Sequence, residues 1–488
     1  MKLYPFLFLI LFSCTASEES RIITSDHALT TYFGQQKFKI SGQTGLTGTC
    51  IISTPGSYAL SEDIPSNAAS GQAISITSSN VILDLSGRSI TFAGGTGTGI
   101  NGITVAANLS NITIRNGIIS GMNGSGVLIN SGCLNINLEQ LDINGCTTAG
   151  VNFAGTATTP LSGCSLTECH IRQCNGGTNP TYGVKLTYCN FLTATNCSFN
   201  SNTATTAAQN CYGFYAIASQ GSILTQCDAR GNSATALAAG FYLDTGCSGT
   251  IFQQCTAHLN TSTATTNAGK AFGFYEQTTN NNRFELCKSF NNSAYAFAAG
   301  FYGKNCSFNY WLNCSSYNNV ITGTTGTAGG FGFICDTAPC EGNIFDQCIA
   351  FSNKGSTDSA SFGCGFLLDN STNSTIKGCT SQGNDGQTGT GVGIYIKSGC
   401  SRCCVQNNSI IANSSNTLAK AYGYWDASTP STTLMTGNVA FANRDTTILP
   451  TNQNYVTIYT NGSAIQSTAK NSLKTLNIPT FTNTDITP

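Results

Sequence analysis

Two short blocks recur through most of this chain and stay in phase with one another. The first is a glycine followed by an apolar, a variable and a mostly apolar residue. Clear copies are Gly213-Phe214-Tyr215, Gly240-Phe241-Tyr242, Gly273-Phe274-Tyr275 and Gly300-Phe301-Tyr302. Weaker copies start at Gly102, Gly126, Gly150, Gly183, Gly332, Gly365, Gly393 and Gly423, giving a period of about 29 residues. The second block is apolar-x-x-Cys with an asparagine five residues later. Its copies include Phe252-x-x-Cys255 with Asn260, Phe284-x-x-Cys287 with Asn292, and Trp311-x-x-Cys314 with Asn319. Phe345-x-x-Cys348 with Asn353 and Ile376-x-x-Cys379 with Asn384 continue it. A repeat this short cannot bury its own apolar face, so successive copies must stack.

Each repeat holds two or three runs of period-two alternation separated by Gly, Asn and Ser turns, which reads as strand rather than helix. Composition agrees: only 9% of residues are charged, and Thr, Asn and Gly fill the polar positions, a poor mixture for helices. The predicted fold is all-β, a right-handed parallel β-helix of about 13 coils with a cap at each end. Strands of neighbouring coils then lie ~4.8 Å apart. No proline falls between Pro180 and Pro339, as expected where nearly every N–H joins a ladder. A two-repeat period is also visible, since Asn232–Tyr242 and Asn292–Tyr302 are near copies. A net charge of −1 removes the electrostatic footprint of a nucleic-acid binder.

Alternation assigns faces. The residue after the glycine is almost purely apolar (Val127, Val151, Val184, Phe214, Phe241, Phe274, Phe301, Phe333, Phe366, Ile394) and is expected to point inward. The next position, with Tyr215, Tyr242, Tyr275, Tyr302, Tyr395 and Trp425, then points out as an exposed aromatic column. Two positions further runs a polar column of Asp244, Gln277, Lys304, Asp336, Asp369 and Lys397. The cysteine column, Cys169 to Cys379, reads as inward; buried free thiols and a few disulfides both fit. The asparagine column from Asn202 to Asn443 reads as a ladder of amides, each donating to one neighbour and accepting from the other.

The opening stretch reads Gly56-Ser57-Tyr58-Ala59-Leu60, then Asn80-Val81-Ile82-Leu83-Asp84-Leu85, then Asn111-Ile112-Thr113-Ile114-Arg115-Asn116-Gly117. This resembles the first coils of right-handed parallel β-helix proteins of the pectin-lyase-like superfamily. The resemblance covers roughly residues 50–445. It implies the fold, and it implies polysaccharide chemistry only broadly, because that superfamily mixes lyases, glycosidases, epimerases and non-catalytic surface proteins. Residues 21–445 are expected to form the β-helix and 446–488 a C-terminal cap or tail.

The best catalytic candidates are Asp336 and Asp369, at one outward position of successive coils, with Lys304 before and Lys397 after. Two carboxylates ~5 Å apart can share a proton, bind a hard cation such as calcium, or do acid–base work on a sugar. The same Lys-Asp-Asp-Lys order also suits a neutral surface ladder. No cofactor and no metal site is expected otherwise. Tyr215, Tyr242, Tyr275, Tyr302, Tyr395 and Trp425, with Lys304 and Lys397, are the expected substrate-binding residues for a polysaccharide or surface glycan; a protein partner is the other reading of that face. His170 and His258 read as isolated and exposed. Residues 1–20 carry Lys2, the apolar run Leu3–Phe12 and then small residues, a targeting segment. Leu11-Phe12-Ser13-Cys14 resembles a lipoprotein box with Cys14 lipidated; cleavage near Ala16–Ser17 fits as well. Either route places the chain outside the cytoplasm, secreted or on the cell surface, with no internal transmembrane span. The low charge favours a non-catalytic binding, adhesin-type or envelope protein; the alternative is a polysaccharide lyase or glycoside hydrolase.

Overall fold

The computed structural model describes residues 37–40, 49–66, 71–94, 98–177, 179–323, 329–416, 421–428, 433–441, 443–445, 452–460 and 463–471. They form a right-handed parallel β-helix of about 13 coils, with no helix among them. Two long sheets run the length of the solenoid, one of 29 short strands and one of 16. Within the coils every strand pairing is parallel and in register. The one antiparallel pair among the described residues is the hairpin of Asn452–Thr460 and Ser463–Asn471, which joins the strand Ala421–Asp426 at the last coil. At the other end, Lys37–Ile40 pairs with Gly56–Leu60. The targeting segment and Cys14 lie outside the described residues.

The glycine block lies in the 16-stranded sheet. Phe214, Phe241, Phe274, Phe301, Phe333 and Phe366 share one register, so the coils between them are 27, 33, 27, 32 and 33 residues long. The alternation of short and long coils therefore holds to Phe333 and then stops. Phe241 to Phe366 stack face to face with ring centroids 4.7–4.9 Å apart. A second inner stack, Phe252, Phe284, Trp311 and Phe345, meets the first edge to face. Both stacks are fully buried. The glycine itself also faces inward. A Cβ on Gly240 would lie 2.8 Å from the Gly273 carbonyl and 3.0 Å from the Asn260 amide, so only glycine lets the strand approach the asparagine ladder so closely.

That ladder is continuous. Each Nδ2 donates to the Oδ1 of the next coil, from Asn202 through Asn232, Asn260, Asn292, Asn319, Asn353, Asn384 and Asn413 to Asn443, at 2.9–3.0 Å. Each Oδ1 also accepts the previous coil's backbone N–H. All nine residues are buried. The cysteines of the apolar-x-x-Cys block are buried free thiols. They face inward because the residue before each one has a left-handed backbone, as at Gln226, Gln254, Leu286, Asn313 and Gln347. That bend resets the strand parity. Most of these thiols donate to a carbonyl of the preceding coil, as Cys255 does to Leu224 at 3.3 Å and Cys348 to Trp311 at 3.3 Å.

Candidate functional site

The aromatic column lies outside the main core, but it is not exposed. Tyr215, Tyr242, Tyr275, Tyr302 and Tyr395 are only 5–9% accessible, and Trp425 is half-buried. The expectation of an open aromatic face is corrected by a second apolar layer. The residue before each block glycine also points outward, because glycine and its follower both turn in. Tyr212, Phe272 and Phe331 thus pack beside the tyrosines. The ring faces are also occupied. Tyr242 stacks on Tyr275 at 4.4 Å and Tyr275 on Tyr302 at 5.1 Å, with interplanar angles of 7° and 6°. Tyr395 stacks on Trp425 at 4.4 Å. A sugar ring stacks on an aromatic face, and Tyr275 has none left. Its hydroxyl is likewise used, donating to Gln277 at 2.6 Å.

Asp336 and Asp369 do occupy the same position on successive coils. Cys335 and Leu368 are paired immediately before them, and the Asp369 N–H donates to the Cys335 carbonyl. Lys304 is in register with Asp336. The two carboxylates are held differently. Asp336 is half-buried and accepts from the Tyr302 hydroxyl at 3.2 Å and from the Thr337 hydroxyl. Asp369 is buried; it accepts from the Asn370 amide at 2.9 Å and from Lys397 Nζ at 2.6 Å. The tyrosine hydroxyls carry the cost of this arrangement. Burial and the Asp336 carboxylate push Tyr302 far above the ordinary phenol value, and burial with Asp244 does the same to Tyr215. These phenols are therefore fixed as donors.

A charged constellation that the sequence reading missed lies on the other sheet. Tyr310 donates to Asp346 Oδ2 at 2.6 Å, and Lys377 Nζ reaches the same oxygen at 3.0 Å. The Arg283 guanidinium sits 5.0 Å above the Tyr310 ring and pairs with Glu285. Gln253 donates to Glu285. The Asp346 carboxylate, with partial burial, pushes the Tyr310 phenol up to about 12. Its residues sit one coil apart at alternating positions, so only the register of Arg283 with Tyr310 and of Asp346 with Lys377 brings them together. His258 also departs from expectation. It pairs with Asp228 at 3.2 Å and stacks on Phe290, while His170 is exposed and bonded to Ser198.

Two acids lie inside the solenoid in one register column, Glu276 and, at the far end, Asp426, which accepts from the Ser428 hydroxyl. Glu276 occupies an inward position and is fully buried. The Asn282 amide and Thr279 hydroxyl donate to Oε1, and the Asn309 amide to Oε2. Burial outweighs these bonds and pushes the carboxyl up to about 8. Cys247, Cys306 and Cys335 lie around it. Among the described residues no group of three or more His, Cys, Asp or Glu side chains has the geometry to hold a metal ion.

A family model described as "Right handed beta helix region" matches residues 63–210. Solved structures to which the chain is similar include the periplasmic alginate epimerase AlgG, at 10% identity over 78% of this chain and 76% of that one, with a TM-score of 0.39. The A-module of the Azotobacter vinelandii mannuronan C-5 epimerase AlgE4 is 11% identical over 83% and 89%, TM-score 0.39. Bacteriophage CBA120 tailspike protein 3 is 12% identical over 88% and 62%, TM-score 0.39. No curated protein matches this sequence.

Proposed function

We propose that this chain is an exported or surface-attached, non-catalytic β-helix that binds a polysaccharide along its outward surface. The observation that carries this reading is the way the outward carboxylates are used. Asp369 with Lys397, Asp336 with Tyr302, and Asp346 with Tyr310 and Lys377 are joined between neighbouring coils. Each tie spends on the fold a group that acid–base chemistry needs to have free. The ammonium of Lys397 on Asp369 also disfavours calcium bridging Asp336 and Asp369. What remains outward is a regular series of polar groups one coil apart, a spacing close to that of a pyranose repeat in an extended chain. Lys304 belongs to that series, whereas Lys397 is tied to Asp369. The tyrosines and Trp425 support it from beneath rather than as stacking platforms.

One observation favours the second reading, a polysaccharide lyase or hydrolase. Arg283, Tyr310, Asp346 and Lys377 converge on one face of a chain with few charges. A glycan array with the mature protein, followed by assays for reducing ends and unsaturated uronates on every bound polymer, separates the two. Binding without product is expected. Product release that is lost in Asp346→Asn, or in the pair Asp336→Asn and Asp369→Asn, would establish the enzyme instead.

A further inference from the structure

The ladder bend leaves a furrow on the outside of the solenoid. Just before each ladder asparagine the backbone is left-handed, as at Asn291, Asn318 and Ser352 with φ of 53–55°. Just after it the chain enters a short strand that turns away from the preceding sheet. The angle between the two runs parallel to the helix axis and opens as a groove of about 520 Å³. Asn291, Asn318 and Ser352 line one wall, and Ser293, Lys354 and Asp385 the other. It extends over four coils, about 14 Å at the ~4.8 Å strand spacing.

The groove gathers several hydrogen-bonding groups that are unspent among the described residues. In the first coils, left-handed asparagines bond to each other, Asn111 to Asn80 at 3.0 Å and Asn135 to Asn111 at 3.2 Å. Gln226 and Gln254 do the same. Asn291 and Asn318 occupy equivalent successive positions, yet among the described residues their amides bond to no side chain or backbone group. The hydroxyls of Ser293 and Ser352 and the ammonium of Lys354 are equally unused. Asp385 is in register with Lys354, so the wall carries one charge of each sign. An apolar strip borders it, because the residues immediately before Asn291, Asn318 and Ser352 are Phe290, Tyr317 and Phe351. Their rings stack 4.5–4.7 Å apart and are half-buried.

We infer that this furrow is the seat of an extended, uncharged polysaccharide lying parallel to the solenoid axis, which rests on the polysaccharide-binding reading above and gives it a location. Pyranose chains present hydroxyls along their edges and C–H groups on their faces. Paired donor–acceptor amides and hydroxyls answer the first, and the edges of the stacked rings border the second. The balanced charge gives a polyanion no advantage.

The test measures binding of the full chain to β-1,4-linked gluco- and manno-oligosaccharides of two to six units, with polygalacturonate as the anionic comparison. Affinity should rise with length to about four units and then level off, and it should not change with salt. The double variant Asn291→Gly/Asn318→Gly keeps the left-handed backbone and removes both amides; about a tenfold loss is expected. Val320→Trp fills the furrow from its wall and should abolish binding, whereas the exposed Glu62→Ala in the first coils should not affect it. Hydrogen exchange on the unmodified protein should show ligand protection at residues 291–293 and 318–320, which does not depend on any variant folding. Binding that neither variant alters, with protection elsewhere, would overturn the furrow and leave the broader reading standing. No binding of any polysaccharide would overturn both. Binding of polygalacturonate alone, lost in Lys354→Ala, would overturn the uncharged class.

Discussion

The first coils and the later ones solve the same packing problem with different residues. Up to Leu186 the core is mainly aliphatic, with Phe153 the exception: Ile74, Ile103, Val127, Val151 and Val184 follow one another in register, as do Ile114, Leu138 and Leu166. From Phe199 to Phe366 the core is largely aromatic, with like stacked on like: phenylalanine on phenylalanine, cysteine over cysteine, asparagine on asparagine; beyond it Ile376, Ile394 and Val405 return to aliphatic packing. Branched aliphatic side chains fill space in many combinations. Flat rings and amides gain most when an identical partner sits directly above and below. The later coils thus repeat the same residue at the same register position, and that identity made their repeat visible. The family model, by contrast, matches residues 63–210, mostly the aliphatic coils, where only the generic strand pattern is needed.

Substitutions in the two halves test this difference. Phe274→Ala removes a ring stacked on both faces and touching a second stack; a loss of ~3–5 kcal/mol is expected in denaturant melts. A loss no larger than that of an aliphatic truncation would mean that stacking adds nothing to burial. Glu276, in an aromatic coil, makes stability depend on pH. Its folded value of about 8 lies above the ordinary 4.5, so the folded state holds the proton more tightly. The associated stability is complete below pH 4.5 and declines as pH rises to about 8, on the order of a few kcal/mol in all. Glu276→Gln should flatten that slope in melts recorded across the window; an unchanged slope would remove Glu276 as its source.

Asn292→Ala opens the ladder and leaves partners on both sides unsatisfied, at ~1–3 kcal/mol. The matched control is the exposed Asn280→Ala, because Asn281 has φ of 55° and alanine is strained there. Equal melting temperatures for the two variants would contradict the ladder's energetic role. The smallest effect is expected for Ile114→Val in the aliphatic half, ~0.5–1.5 kcal/mol, since its neighbours Leu83 and Leu138 already differ from it in shape.

Much of the fold was legible. The glycine and Cys/Asn blocks predict stacking, inward phenylalanines and the asparagine ladder, and all three are found. The exposure of the tyrosine column was not legible. Alternation predicts that Tyr242 leaves the core, but it says nothing of Phe272 and Tyr275 lying across the same surface. The missed constellation is harder still. Arg283, Tyr310, Asp346 and Lys377 are up to 94 residues apart in the chain, and no local pattern marks them. The left-handed turns at Leu259, Leu286, Phe191 and Phe308 carry residues that give no turn signal, since stacking with the adjacent coils overrides local preference there.

By itself, then, the sequence determined the period, the strand class, which residue of each block faces the core, and the amide ladder. These depend on neighbours a few residues away or one period away, and periodicity reports both. The tertiary structure alone decided which outward groups are spent on each other and which remain free. The ties of Asp369 to Lys397 and of Asp346 to Tyr310, and the untied amides of Asn291 and Asn318, depend on side-chain directions around left-handed bends. Those directions are set by coil-to-coil register in three dimensions, which composition and spacing do not encode.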